Sequence, residues 1–171
     1  MNAEEYRAAA NYWTAKDRKE MPEAELVTFV QEFLAEKSVC ALATGAGDFV
    51  RCTPLEYSYH DDAFWIFTEG GEKFVGLADN ANVSLAVFDQ DPGFGSLRSV
   101  QVMGTAEVVE PMSETYVAHA EVKGVPVSAL QKLADAGRPM HLLRIAPTRM
   151  DVLCSAFKAQ GYDSRQVLTS F

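Results

Sequence analysis

The sequence predicts an α+β fold around a closed or half-closed, mainly antiparallel sheet of six to seven strands. Three observations predict it: helical spacing of apolar residues before residue 38, short strand-like runs joined by turns up to residue 109, and further strands after residue 140. Turns of hairpin length connect antiparallel neighbours. We expect one domain over residues 1–171, with helices at 1–37, the sheet at 38–154 and a tail at 155–171.

Two helices are expected before the sheet. The first covers Ala3–Arg18, with Tyr6 and Trp13 on one stripe. The second runs to about Lys37, and Pro22 is suited to its first position because proline lacks an N–H that the helix start would leave unpaired. Its apolar residues follow the spacing of an amphipathic helix. They are Leu26, Phe29, Val30, Phe33 and Leu34.

The first three strands follow from apolar runs and turn residues. Ser38–Thr44 is a short, mostly apolar strand, and the Gly-rich turn Gly45–Asp48 predicts an antiparallel partner. That partner, Phe49–His60, is long, and Pro54 indicates an edge, a bulge or a bend there because it cannot donate to a ladder. Phe64–Thr68 is the third strand.

A short helix and the central strands come next. The helix covers Glu72–Asp79, and the strand Val83–Phe88 follows it. After a Pro/Gly loop, Leu97–Val109 is predicted as the longest strand, with Val100, Val102, Gly104, Ala106 and Val108 on one face. Ser128 has capping-box spacing for a later helix.

The last predicted strands are separated by Pro147. They cover His141–Ile145 and Arg149–Leu153. The tail after residue 154 has no strong periodicity.

Composition and charge exclude several classes of function. The formal net charge is −9, which argues against binding of nucleic acid or anionic membrane surfaces, since both require clustered Lys and Arg. No apolar run is long enough to span a bilayer, and the polar start Met1–Arg18 is unlike a signal peptide. We therefore expect a cytoplasmic protein.

The cysteines and histidines indicate neither a disulfide nor a metal site. Three scattered cysteines, with Cys40 and Cys52 in apolar strand-like runs, predict reduced and partly buried thiols. The three histidines show no metal-ligand spacing with one another or with the cysteines, so no metal is expected. No histidine is placed by sequence to activate a thiol, so no catalytic residue is assigned.

The sequence around Lys73 is typical of an anion site. Residues 68–73, Thr-Glu-Gly-Gly-Glu-Lys, open the short helix, whose first turn presents unpaired N–H groups. Glycines allow close approach of the backbone to an anion, and Lys73 adds a full charge. Arg51, on a preceding strand, would complete a phosphate cradle with its forked donors. The alternative interpretation is a glycine turn with a solvated lysine.

Six short segments follow one another in a distinctive order between residues 26 and 153. They are Cys40–Thr44, Val50–Leu55, Phe64–Thr68, Gly71–Leu77, Asn80–Leu85 and Val100–Glu107. Their order and spacing resemble the pyridoxamine 5′-phosphate oxidase-like family. The resemblance implies a split β-barrel that binds flavin mononucleotide (FMN) across a homodimer interface.

The resemblance also implies which residues contact FMN. Arg51 would bind the phosphate, and Lys73, beside Glu72 at the helix start, would be the second cation. Phe67 and Thr68 would lie near the phosphate and the ribityl chain. The residues expected along the flavin ring are Cys52, Thr53 and Pro54, together with Ser99 or Gln101 of the partner's long strand.

Two departures from the family pattern argue against oxidation of a vitamin B6 phosphate. True pyridoxamine phosphate oxidases end in a segment with Trp and paired Arg that binds the substrate, whereas residues 157–165 contain no Trp. Where a basic residue is expected after Leu55, this chain has Glu56, which would repel a substrate phosphate. Lys158, Tyr162 and Arg165 in the tail are candidates for covering the flavin.

The expected function is therefore that of an FMN-dependent oxidoreductase with an unknown substrate and a reduced nicotinamide or another small molecule as electron donor. One alternative is a flavin-binding module without turnover that acts as a sensor, carrier or store. Another is a haem or deazaflavin binder on the same fold, for which His60 is the candidate axial ligand.

Overall fold

The computed structural model of the chain describes residues 2–12, 18–93 and 95–171. The helices are α1 (Ala3–Asn11), α2 (Glu23–Glu36), α3 (Lys73–Asp79), α4 (Glu114–Lys123), α5 (Val127–Asp135) and a 3-10 helix (Ser155–Gln160). The strands are β1 (Val39–Ala46), β2 (Phe49–Glu56), β3 (Ser58–His60), β4 (Ala63–Thr68), β5 (Asn82–Phe88), β6 (Arg98–Val109), β7 (His141–Cys154) and β8 (Arg165–Leu168).

The strands form one curled antiparallel sheet. Its order is β2-β1-β5-β6-β7-β4-β3, and β8 pairs with β7. Residues 141–145 of β7 pair with β4 and residues 150–153 pair with β8, so the two halves of β7 have different neighbours on this side. This arrangement is that of a split barrel, and it confirms the predicted α+β class. Within the described residues the path of the sheet holds seven strands, in agreement with the six to seven predicted, and the tail adds β8 beside β7. Residues 49–60 form two strands instead of one, and the two strands predicted on either side of Pro147 form one.

Pro54 lies on an edge strand, which confirms one of the three alternatives predicted for it, and the strand predicted over residues 49–60 is interrupted at Tyr57. β2 continues through Pro54, which is tolerated because β2 is the edge of the sheet. Tyr57 is buried, and its hydroxyl donates a 2.8 Å hydrogen bond to the carbonyl of Leu34 in α2. The tyrosine therefore ties the chain to α2 where it turns into β3.

The prediction of two strands around Pro147 is wrong. β7 runs through this residue as one strand of 14 residues, longer than β6 with 12. The register between β6 and β7 shifts after Met103, so that Gly104 pairs with Pro147 and Thr148 is the additional residue. A bulge lets the strand accommodate proline and bend there. Beyond the bulge Val108 is exposed, whereas Val100 and Val102, which were predicted to share its face, are buried.

Several predicted helix ends differ from the structure. α1 ends at Asn11, and the predicted Trp13 lies outside the described residues. Pro22 is the N-cap of α2 rather than its first residue. Ser128 lies inside α5, whose N-cap is Pro126, so it makes no capping box. No helix in the described ranges is long and apolar enough to cross a membrane.

The sheet is buried on both faces along β4. Phe64 and Ile66 point into the main core, which α2 covers with the apolar stripe predicted for it. Trp65 points the other way into a second core under α4 and α5. The outer faces of β2, β5 and β6 carry exposed side chains instead.

Helix α3 packs unusually close to β1, and Gly76 makes this possible. A Cβ atom on Gly76 would lie 2.8 Å from the Gly45 nitrogen and 3.1 Å from the Thr44 carbonyl carbon. The amide of Asn80 donates a 2.8 Å hydrogen bond to the Gly45 carbonyl at the end of the same helix. The position of α3 therefore depends on a glycine in its middle.

We expect Gly76→Ala to lower the free energy of unfolding by about 1–2 kcal/mol, because overpacking against backbone atoms costs about 1–3 kcal/mol and exceeds the helix-propensity gain of about 1 kcal/mol. Urea denaturation measures the change. Val75→Ala is the matched control, since Val75 is exposed in the same helix. Equal stabilities of the two variants would contradict the close packing of α3.

Candidate functional site

Arg51 lies on the inner side of the sheet at the open edge. In the hairpin of β1 and β2, Arg51 is directly opposite Thr44 and Thr53 is opposite Leu42. Opposed residues of antiparallel strands share a face. Because Leu42 and Thr44 are buried, Arg51 and Thr53 face the interior at the mouth of the half-barrel.

The loop after β4 brings Lys73 to the same mouth. Gly70 and Gly71 have φ angles of 124° and 105°, which glycine adopts readily. The hydroxyl of Thr68 lies 3.4 Å from both the nitrogen and the oxygen of Gly70. The ammonium of Lys73 donates to the Gly70 carbonyl, and this lysine is only 4% exposed. The tight turn thus holds a buried cation at the start of α3.

Arg51 and Lys73 form one electrostatic site. Burial, followed by the positive charge of Arg51, lowers the pKa of Lys73. The guanidinium of Arg51 donates to the carboxylate of Glu72, which is mostly exposed. Two cations therefore lie close together at a helix start, and the exposed carboxylate of Glu72 is paired with one of them, Arg51. A phosphate dianion would supply the charge that this pair of cations favours.

Two hydroxyls beside Arg51 have no hydrogen-bond partner within the described residues. They are the buried Oγ1 atoms of Thr44 and Thr53. Leaving a buried hydroxyl unpaired costs about 1–3 kcal/mol. A ligand that carries a phosphate and several hydroxyls would satisfy both atoms and both cations. The residues present therefore fit a phosphorylated polyol such as the ribityl phosphate of a flavin.

The other predicted contacts lie on the opposite face. Cys52 and Pro54 stand opposite Ala43 and Ala41 on the outer side of the sheet, and Cys52 is exposed, contrary to the expected partial burial. Pro54 on β2 and Gln101 on β6 are separated by β1 and β5, that is, by three strand spacings or about 14 Å. A single copy of the chain therefore does not bring Gln101 to the residues of β2.

Ser99 and Gln101 differ in exposure. Ser99 is 8% exposed and pairs with Phe88 and Leu153. Gln101 is exposed, so of these two residues it is the one available to a ligand on the outer face.

Phe67 points away from the cradle. Its ring makes an edge contact with Tyr116 at 5.3 Å and lies 5.2 Å from the His119 ring, in the second core. Glu56 is ion-paired with Lys123 at 2.8 Å on the surface. Neither side chain lies beside Arg51 and Lys73.

The histidine considered as an axial ligand is engaged through both ring nitrogens. Nδ1 of His60 lies 2.8 Å from the Asp61 carboxylate, and Nε2 lies 2.9 Å from Nδ1 of His119. Burial and the neighbouring His60 and Lys123 lower the pKa of His119 to about 4. The pair is therefore a structural contact that joins the end of β3 to α4. No group of three or more metal-ligating side chains occurs in the described part of the chain.

Thr44 is the site residue that the sequence interpretation missed. The pattern of apolar residues indicates only that it ends a strand, and the predicted four-residue turn 45–48 would place it opposite Phe49. In the structure β1 continues to Ala46, and a two-residue turn at Gly47 and Asp48 places Thr44 opposite Arg51 instead. Asn80 was missed as well, because its bond to Gly45 depends on how α3 packs.

Comparison with known proteins agrees with this fold. The family model described as pyridoxamine 5′-phosphate oxidase matches residues 28–153. No match was found among curated proteins. Among solved structures, an FAD-binding protein from Mesorhizobium loti has 23% identity and a TM-score of 0.54, with 76% of this chain and 90% of that chain covered.

Two further solved structures have the same fold. HutZ, the haem storage protein from Vibrio cholerae, has 17% identity and a TM-score of 0.56, with 70% of this chain and 88% of that chain covered. Campylobacter jejuni ChuZ has 14% identity and a TM-score of 0.65, with 99% and 70% covered. With the family model spanning well over half of its length, this chain belongs to the pyridoxamine 5′-phosphate oxidase-like family.

Proposed function

We propose that this chain is an FMN-binding flavoprotein with oxidoreductase activity that works as a cytoplasmic homodimer. The observation that carries the proposal is the cradle of Arg51 and Lys73 at the start of α3, with two unpaired hydroxyls beside it. A flavin supplies hydride and electron transfer, so the protein needs no nucleophile of its own. The membership of the family supports a flavin.

The chain's own residues would bind and orient the cofactor. Arg51 would hold the phosphate through its forked donors, and Lys73, fixed by the Gly70 carbonyl, would hold it through a point charge. Thr44 and Thr53 would donate to, or accept from, the ribityl chain. Glu72 would have to leave Arg51 when the phosphate enters, since both anions require the same guanidinium.

The outer face of the sheet supports the proposal of a homodimer. Small residues line it where β1 and β5 meet, at Ala41, Ala43 and Ala86. Around them Val50 is 81% exposed and Met103 is 55% exposed. Exposed apolar side chains around a flat surface are typical of an interface. A second copy on this face would bring its Gln101 toward Cys52 and Pro54. A flavin with its phosphate at Arg51 would reach these residues around β2, which is the edge strand of the sheet.

The hydrogen bonds of His60 favour a flavin over haem as the ligand. Both of its ring nitrogens are engaged by Asp61 and His119, so iron ligation would require one of these contacts to break. The cradle at Arg51 also favours a phosphate rather than a porphyrin. The haem storage neighbour is relevant to the fold alone.

The absorbance spectrum of the purified protein tests the proposal. We expect flavin bands, and chromatography of the heat-released chromophore should match an FMN standard rather than an FAD standard. Addition of NADPH or NADH and then of oxygen or a quinone should reduce and reoxidise the bound flavin. A protein that binds FMN without turnover would be a carrier or sensor, and one that fails to bind added FMN would overturn the proposal.

A further inference from the structure

A cavity of about 470 Å³ lies beside the cradle, between the end of β4, the end of α5 and the start of β7. It is a separate place from the phosphate site, since neither Arg51 nor Lys73 belongs to its described lining. The side chains that line it include Glu69, Leu133, Arg138, Pro139, Met140 and His141.

The ring of Phe74 contacts both the cavity and the cradle. The His141 ring, in the wall of the cavity, lies 5.1 Å from the Phe74 ring, and the ammonium of Lys73 lies 5.5 Å from the same ring. His141 also pairs with Thr68, which directly precedes Glu69 in the chain. A ligand in the cavity and a phosphate in the cradle would therefore be neighbours.

The charged side chains of this cavity are unpaired. Within the part of the chain that the structure describes, no hydrogen bond or ion pair engages the side chains of Glu69, Arg138 or His141. Glu69 and Arg138 carry opposite charges, so the lining does not favour a second phosphate as the cradle does. It offers an acceptor and a donor group to one uncharged polar ligand.

The loop that carries Arg138 is held in place by hydrogen bonds. Gly137 ends α5 with a φ angle of 72°, and the backbone N–H of Arg138 donates a 2.9 Å bond to the Leu133 carbonyl. The hydroxyl of Tyr116 donates a 2.9 Å bond to the Met140 carbonyl. The wall of the cavity is therefore preformed, which lowers the entropy cost of binding.

The size and lining of the cavity fit a nucleoside. Its volume is within the range of small-molecule sites. A carboxylate such as that of Glu69 accepts hydrogen bonds from ribose hydroxyls, as acidic residues do in dinucleotide sites. The guanidinium of Arg138 can stack on a flat base, and the apolar side chains of Leu133 and Met140 can cover the rest of it.

From these unpaired groups and their place beside the cradle, we infer that the cavity binds the adenosine end of a nicotinamide dinucleotide that serves as electron donor. The inference rests on the proposed function, because the flavin phosphate is expected at Lys73, on the other side of Phe74. Glu69 fits an unmodified ribose, since its carboxylate would repel a 2′-phosphate. The donor that fits is therefore NADH rather than NADPH.

Isothermal titration calorimetry on the FMN-saturated protein tests the inference. NAD⁺ is the main probe, because it carries the same adenosine and cannot reduce the flavin. Adenosine tests that end alone, and nicotinamide mononucleotide, which lacks it, is the control. We expect NAD⁺ and adenosine to bind saturably, and nicotinamide mononucleotide to bind at least about tenfold more weakly than NAD⁺, or about 1.4 kcal/mol. Equal affinities for NAD⁺ and the mononucleotide would overturn the inference, and tighter binding of NADP⁺ than of NAD⁺ would contradict the role of Glu69.

Two variants locate the adenosine. Glu69→Gln should weaken it by about fivefold or more, because a neutral amide is a weaker acceptor than a carboxylate, whereas Glu121→Gln on the exposed side of α4 should not. Arg138→Gln should also weaken it, with Arg7→Gln in exposed α1 as the matched control. Adenosine affinity that is unchanged in both cavity variants would overturn the inference.

The affinity for FMN is measured on the same preparations. A chain that binds FMN but neither adenosine nor NAD⁺ overturns the inference alone. A chain that binds adenosine but no FMN overturns the proposed function while supporting the nucleoside site. Adenosine carries no phosphate, so loss of its binding in Arg51→Ala would place it at the cradle and contradict the inference. FAD that displaces adenosine would show that the cavity holds part of a dinucleotide cofactor, and the assignment to a donor would be wrong.

Discussion

Replacing Arg51 and Lys73 together by alanine is expected to weaken FMN binding by at least about a hundredfold. Each of these residues would make hydrogen bonds to a charged phosphate, which contribute about 1.5–3 kcal/mol apiece, and their sum of about 3–6 kcal/mol corresponds to a factor of about 10² to 10⁴. Quenching of FMN fluorescence during titration measures the dissociation constant.

The controls distinguish the loss of specific phosphate contacts from a general loss of positive charge and from unfolding. Arg7→Ala with Lys132→Ala removes two exposed cations elsewhere and should leave the affinity unchanged. Arg51→Ala alone removes a largely exposed side chain, so it should retain the fold even if the loss of buried Lys73 disturbs α3. Wild-type affinity in the double cradle variant, with near-UV circular dichroism intact, would refute the phosphate site.

Glu72→Gln should raise the affinity for FMN, whereas the cradle variants lower it. The neutral amide no longer competes with the phosphate for Arg51, so we expect FMN to bind about two- to fivefold more tightly, a change limited by the exposure of both side chains. Weaker binding in this variant would mean that the carboxylate helps to hold the cofactor.

Acidification is expected to destabilise the protein through His119. The pKa of this buried imidazole is about 4, compared with an ordinary value of 6.5. Between these values the unfolded chain binds a proton that the folded chain does not, so the free energy of unfolding falls as the pH falls through this window. The contribution is fully present above pH 6.5, and the loss amounts to about 3 kcal/mol by pH 4.

Two variants test the role of His119. His119→Phe keeps a ring against Trp65 and Phe67, and His119→Gln keeps a polar side chain toward His60. Neither residue titrates, so both variants should flatten the pH dependence of stability between pH 4 and 6.5, whatever their stability at pH 7. Urea denaturation at several pH values measures this pH dependence. A slope that stays at the wild-type value in both would show that other groups cause the acid sensitivity.

The local parts of the site could be predicted from the sequence. The hairpin of β1 and β2, the glycine turn before Lys73 and the amphipathic stripe of α2 depend on residues close together in the chain. Turn chemistry and periodicity act over such short distances. For this reason the sequence pattern alone indicates Arg51 and Lys73 as residues of a candidate anion site, whereas Thr68 was expected there from the family resemblance.

The tertiary structure decided which of these side chains meet and which face apart. Strand alternation separates Phe67 from Thr68, and packing of β4 against α4 determines that Phe67 enters the second core. The pairing of His60 with His119 joins residues 59 positions apart. No local pattern encodes contacts of this kind, because they depend on the burial of whole elements against one another.

The course of β7 and the place of the tail likewise depend on the tertiary structure. The sequence by itself determined the α+β class, the acidic charge and the segments of the family. In the folded chain β7 continues across Pro147, and β8 pairs with the second half of β7. This pairing brings Lys158 of the tail into the lining of a cavity that Gln101 also lines. The physical reason is that a bulge and an added strand are stabilised by partners distant in sequence, so their residues carry no signal of their own.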